Sequence, residues 1–213
     1  MILAALYAMA GKLAALETPS TRAGFAAVVQ RYVGNIEYGD VLRGEFAIID
    51  IKTSGHGTAH AEILEIAALR IAPGFTQIGE FNVLIEPECV VPRSLAGHIG
   101  LPSAKPAHCG LALQEAMRQL ANFVKRYPLF SNNASVDQSL LSKAAMRHGL
   151  SFDNPFYDSL LVAWSAWPGL PSHEFSALSE QLGQEHQPAQ RALASVQTTL
   201  AVLRAASHSM GIP

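Results

Sequence analysis

The chain has 213 residues, 49% hydrophobic and 15% charged, with a formal net charge of -2. This length allows one ordinary domain with additions or two small ones, and the apolar content supplies a sizeable buried core, which excludes a disordered chain. The near-neutral balance excludes a global basic field announcing nucleic acid, though not a local basic groove, and two cysteines exclude a secreted disulfide framework.

Residues 1–43 read as helical. Alanine and leucine dominate up to Glu17, Thr18-Pro-Ser-Thr supplies a break and a cap, and a second helix follows through Phe25, Val28, Val29 and Tyr32. Met1 to Ala10 is apolar, but it has no basic leading region and Lys12 interrupts it. It is therefore expected to be an amphipathic helix packed on the domain, not a signal peptide. No apolar run reaches the roughly 20 residues of a transmembrane helix. A reducing cytoplasm is the expected location, with Cys89 and Cys109 as free thiols.

The next segments are rich in β-branched residues. Phe46-Ala-Ile-Ile-Asp50 predicts a buried strand ending in a carboxylate, Ile63–Ile71 a second strand and Phe81–Ile85 a third. Thr53–His60 and Pro73-Gly74 supply the turns of a meander. The period then changes: Leu113, Met117, Leu120 and Val124 share one helical face. Leu129-Phe130-Ser131 predicts a short strand, and Val136–His148 a helix stopped by Gly149. Tyr157–Ala166 reads as a helix or a strand–helix junction, Phe175–Leu182 as a helix ended by Gly183, and Arg191–Ser207 as a long closing helix. Strands first, then alternating strands and helices, predict an α/β fold: a mixed sheet with helices on its faces.

Five stretches in this order carry a resemblance. Asp50-Ile-Lys-Thr-Ser-Gly55 resembles Asp-x-Glu-Thr-(Thr/Ser)-Gly, the first motif of the DnaQ-like, or DEDDh, 3'-5' exonucleases. Ile63-Leu-Glu-Ile-Ala-Ala-Leu-Arg70 resembles that family's second strand, with a glutamate at the position of Glu65. Gly97-His-Ile-Gly-Leu101 resembles a substrate loop, and Asn132-Asn-Ala-Ser-Val-Asp137 resembles His-Asn-Ala-x-Phe-Asp. Ala189-Gln-Arg-Ala-Leu-Ala-Ser195 resembles His-Arg-Ala-Leu-x-Asp. The resemblance spans about residues 45–206. It implies a ribonuclease H-like five-stranded mixed sheet, three antiparallel strands first, flanked by helices. Residues 1–43 would be an N-terminal helical extension and 44–213 the exonuclease-like domain.

Family chemistry uses two divalent ions, magnesium or manganese, about 4 Å apart. Four acidic side chains hold them, and a histidine is the general base. The resemblance assigns these roles to positions 50, 52, 137, 190 and 195. Asp50 and Asp137 keep the required residue, whereas Lys52, Gln190 and Ser195 replace a glutamate, a histidine and an aspartate. Two divalent cations beside a lysine with half the ligands gone are electrostatically unfavourable, and a glutamine amide has no proton affinity of use near neutrality. No metal cofactor is therefore expected. His186 reads as an exposed loop histidine and Asp158 as a structural or helix-capping carboxylate; neither removes Lys52.

Thr53, Ser54, His98 and Asn133 are the candidate nucleic-acid contacts, although as turn and loop residues they need no such role. Trp164 and Trp167 read as packing residues before base-stacking ones. The sequence thus predicts a catalytically degenerate exonuclease-like protein that binds single-stranded nucleic acid or a protein partner, with no membrane association. The alternatives are an active exonuclease with altered ligands and a purely structural interaction module. Lys52 is expected to reach the two aspartates as a built-in cation.

Overall fold

A computed structural model describes residues 38–55, 61–86, 110–183 and 191–212. The expectations placed on residues 1–37, on the Gly97–Leu101 loop with His98, on His186 and Gln190, and on Cys89 and Cys109 lie outside the described residues.

Helix α1 (Tyr38–Arg43) leads into strands β1 (Phe46–Thr53), β2 (Ile63–Ala72) and β3 (Thr76–Leu84). Helix α2 (Leu113–Val124), strand β4 (Leu129–Ser131) and helix α3 (Ala134–Arg147) follow. Strand β5 (Phe156–Asp158) runs directly into α4 (Ser159–Ala166), and α5 (Phe175–Gln181) and α6 (Ala192–Ser209) complete the order. The sheet has five strands in the order β3-β2-β1-β4-β5. The first three pair antiparallel, whereas β4 lies parallel to both β1 and β5. This is the mixed, ribonuclease H-like sheet that the sequence predicts.

Period-two alternation sends the strand residues to two cores. Phe46 and Ile48 of β1, with Ala67, Leu69 and Ile71 of β2, pack against α4 and α6. Ala47, Ile49 and Ile51, with Ile66 and Ala68, pack against α2 and α3. The same alternation continues past the apolar stretch. Asp50 and Lys52 share the parity of Phe46 and Ile48, and Glu65 that of Ala67, so all three charged groups fall on the α6 face.

Two strands exceed their predicted spans by more than one residue. β1 runs to Thr53, which pairs with Ile63 after a register shift. β3 begins at Thr76, five residues before the predicted start at Phe81. Its first four residues are solvent-facing or nearly so at the sheet edge, so they carry no apolar signal. Gly149 and Gly183 have φ of 65° and 66°, the left-handed conformation that ends α3 and α5. A Cβ on Gly110 would come within 2.5 Å of the Glu86 amide nitrogen, so glycine is required where Ile85 and Leu111 form a bridge.

Candidate active site

The site forms where β1, the β4–α3 junction and the start of α6 meet. Asp50 and Lys52 stand two residues apart on one face of β1. Lys52 Nζ lies 2.9 Å from Asp50 Oδ2, with both side chains mostly covered. Asp50 Oδ2 accepts no well-directed hydrogen bond, so this contact is chiefly coulombic. The same ammonium donates to Ser195 Oγ at 3.0 Å, and Ser195 is buried in the first turn of α6. One nitrogen thereby joins three of the five positions to which the sequence assigns the site.

Asp137 reaches the site from the first turn of α3 and is 5% exposed. Ser131, the last residue of β4, donates its hydroxyl to Asp137 Oδ2. The Ser131 oxygen also accepts the Asn133 amide at 3.0 Å, so one hydroxyl fixes both the turn and the carboxylate. Burial pushes the Asp137 carboxyl well above the usual range; the neighbouring Asp50 charge raises it further, while Ser131 and Lys52 oppose the rise. Asp50 is also raised, first by burial, with Lys52 opposing and Glu65 adding to the rise. Asp137 therefore feels the Asp50 charge, and Lys52 is the cation that opposes the rise at both carboxyls.

Glu65 is the acidic group of the second strand, and it is fully buried. It receives Arg191 Nε at 2.9 Å and Arg191 Nη2 at 2.7 Å, the bidentate geometry that a planar guanidinium favours. It also accepts the Ala192 amide at 3.1 Å, satisfying one of the unpaired N–H groups at the start of α6. This clamp fixes the helix that presents Ser195. Asp158 plays the comparable role for the other helices: Oδ2 accepts the Ala134 amide of α3 at 3.1 Å and Oδ1 the Leu160 amide of α4 at 2.7 Å. Burial pushes its pKa up to about 7 against those backbone donors. The sequence assigns Asp158 to capping, and it caps two helix starts with one carboxylate.

The candidate nucleic-acid contacts are placed in part. Thr53 Oγ1 donates to the Gly55 carbonyl at 2.9 Å, and Ser54 Oγ accepts the Glu62 amide at 2.9 Å, so both hydroxyls serve the turn after β1. Asn133 is exposed, and its carbonyl accepts the Val136 and Asp137 amides at 3.1 Å. Trp164 is buried and stacks on His173 with ring centroids 3.7 Å apart, and Trp167 packs against the core, so both act in packing. Ser131 and Arg191 lie outside the set inferred from sequence. The signal for Ser131 is a hydroxyl closing an otherwise apolar strand; the signal for Arg191 is the unexplained acid Glu65 inside a β-rich run.

The residues present do not fit a pair of divalent cations. Position 52 supplies an ammonium in contact with Asp50, and Ser195 supplies a neutral hydroxyl already engaged by that ammonium. Among the described residues, no group of three or more His, Cys, Asp or Glu side chains is placed to hold a metal ion. Nor, among them, is any helix long and apolar enough to cross a membrane.

A family model described as Exonuclease matches residues 47–203. A DNA polymerase III subunit epsilon-like protein of Rhodobacter capsulatus is 31% identical over 140 residues, covering 65% of this chain and 20% of that protein. DNA polymerase III subunit epsilon of Aquifex aeolicus is 24% identical over 159 residues, covering 72% of this chain and 76% of that protein. Among solved structures, E. coli exonuclease I in complex with a dT13 oligonucleotide superposes with a TM-score of 0.67 at 20% identity. That superposition covers 79% of this chain and 42% of the larger enzyme. The chain thus spans a fifth of the first relative and less than half of the exonuclease I chain. With the sheet order, the ordered motifs and the matched span in agreement, the chain belongs to the exonuclease family, among the DnaQ-like 3'-5' exonucleases.

Proposed function

We propose that this chain is an exonuclease-family domain that has lost phosphodiester hydrolysis and acts by binding, with a single-stranded nucleic-acid end as its ligand. The carrying observation is the Lys52 ammonium, 2.9 Å from Asp50 and 3.0 Å from Ser195. A positive charge in that position opposes the entry of two divalent ions, and hydrolysis in this family depends on them. Gln190 stands at the position of the general base, and a neutral amide takes no proton from water. Metals and base act as a unit, so losing both removes many powers of ten in rate.

The fold shared with an exonuclease that binds oligonucleotide supports nucleic acid as the ligand. Binding without metals rests on contacts to the phosphate backbone, so it is weak and salt-sensitive, and it carries little sequence preference. Thr53, Ser54, His98 and Asn133 are the proposed contacts. Fluorescence anisotropy of labelled oligo-dT and oligo-U in EDTA tests this reading. Saturable binding that weakens steeply between about 50 and 200 mM salt is expected. Absence of binding to both oligonucleotides at the lowest salt would overturn it.

A further inference from the structure

We infer that the turn between α2 and β4, through Lys125 and Arg126, is a further nucleic-acid contact. It holds backbone phosphates of a single strand whose end lies in the site, so the inference rests on the nucleic-acid reading proposed above. Lys125 has φ 49° and ψ -121°, and the Tyr127 amide donates to the Val124 carbonyl at 3.0 Å. This is the geometry of a type II′ turn, whose first central position favours glycine. Among the described residues, positive φ otherwise falls on Gly74, Gly149, Gly183, Gly211 and Phe75. Phe75 has a packing reason to be large, since its ring is buried against Phe46. Lys125 has none: its side chain is exposed, and so is that of Arg126. Glycine would relax the backbone there, so what the lysine adds is its charge.

The turn is held in that shape from behind. The buried Asn154 donates its side-chain amide to the Lys125 carbonyl at 3.1 Å and to the Tyr127 carbonyl at 2.8 Å. Arg70 lies over one face of the Tyr127 ring, 5.0 Å from its centroid, and donates to its hydroxyl at 3.2 Å. Acidic side chains of the adjoining segments are engaged: Glu45 takes the Tyr127 hydroxyl, and Asp153 the Ser151 hydroxyl. Lys125 and Arg126 make no ion pair with a described residue. With Arg70 on the Tyr127 ring, the turn offers no open apolar anchor to centre a protein interface, whereas two free cations suit phosphates. Strand β4 ties the turn to the site: Tyr127 stands four residues before Ser131, about 13 Å of strand. A single strand of roughly 4–16 nucleotides, the span of one binding module, covers that distance.

Anisotropy of labelled oligo-dT of about 20 nucleotides, in EDTA across a salt series, tests the inference alongside thermal melts. Lys125→Gly and Arg126→Ser should each weaken binding about three- to tenfold. Each should also reduce the dependence of log K on log salt by about one. Arg118→Ser removes an exposed cation paired with Glu115 and should do neither. Lys125→Gly should melt at or above the wild-type temperature, which separates lost binding from lost fold. A lower melting temperature for Lys125→Gly would overturn the inference, as would undiminished oligo-dT binding by both turn variants. Turn variants that bind oligo-dT as wild type does, yet lose a polyglutamate that wild type binds, would assign the turn to an acidic protein and overturn it too. Oligonucleotide binding indifferent to the turn sinks this inference alone. Wild type that binds no oligonucleotide sinks the nucleic-acid reading and this inference with it.

Discussion

Lys52 on β1 and Ser195 on α6 meet through a 3.0 Å hydrogen bond from the ammonium to the hydroxyl, across 143 positions of sequence. The contact links the central strand to the closing helix at two of the positions that the family resemblance assigns to the site. Its partner contact, 2.9 Å to Asp50, makes Lys52 a structural element of the site.

Replacing Lys52 with methionine should therefore destabilise the fold by about 1–3 kcal/mol near neutral pH, because two covered carboxyls lose their cation. The penalty should shrink as pH falls and Asp50 and Asp137, both raised by burial, take up protons. Urea denaturation of wild type and variant at pH 5 and 8 checks both statements. Adding Asp50→Asn to the variant should recover part of the loss, and a double-mutant cycle measures that coupling.

The Glu65–Arg191 clamp predicts a larger effect. Glu65→Ala leaves the Arg191 guanidinium and the Ala192 amide without their acceptor at the start of α6. The half-exposed side of Arg191 moderates the cost, which should be on the order of 2–4 kcal/mol. Hydrogen exchange should show the loss of protection concentrated in the first turn of α6, while α2 keeps its protection.

Asp158 gives stability a definite pH dependence. Its folded pKa of about 7 lies above the ordinary value of 3.8, so the folded state binds the proton more tightly than the unfolded chain. Its contribution is full below about pH 4 and is lost as pH rises through 7. His173 works in the opposite sense: burial lowers its pKa to about 4, so its contribution is present above about 6.5 and is lost as pH falls through 4. Asp158→Asn removes the first dependence and leaves the second. The stability advantage of wild type over this variant should accordingly decline between about pH 4 and 7, as measured by paired urea titrations.

The sequence carried the sheet well wherever strands are buried. Phe46–Ile49, Ile63–Ile71 and Leu129–Ser131 are apolar because both faces of the sheet are covered, and helix α2 declares itself by its spacing. The first half of β3 was invisible because an edge strand facing water needs no apolar pattern. Asp50, Lys52, Asp137 and Ser195 stand out in the sequence by their motif positions, and the structure brings Asp50, Lys52 and Ser195 into contact. The grip of Lys52 on Ser195 and of Arg191 on Glu65 was not legible, since each depends on which strand residues share the face of a helix far along the chain. Ser131 was hidden for a different reason: its role is local, and a serine at a strand end has many ordinary explanations.

The most direct test of the central claim is a nuclease assay on single-stranded DNA and RNA with labelled 3' ends, in Mg²⁺ and in Mn²⁺, with an EDTA control. The account predicts no release of mononucleotides above the level seen in EDTA, for wild type and Asp50→Asn alike. Metal-dependent release by wild type that EDTA stops and Asp50→Asn abolishes would contradict it.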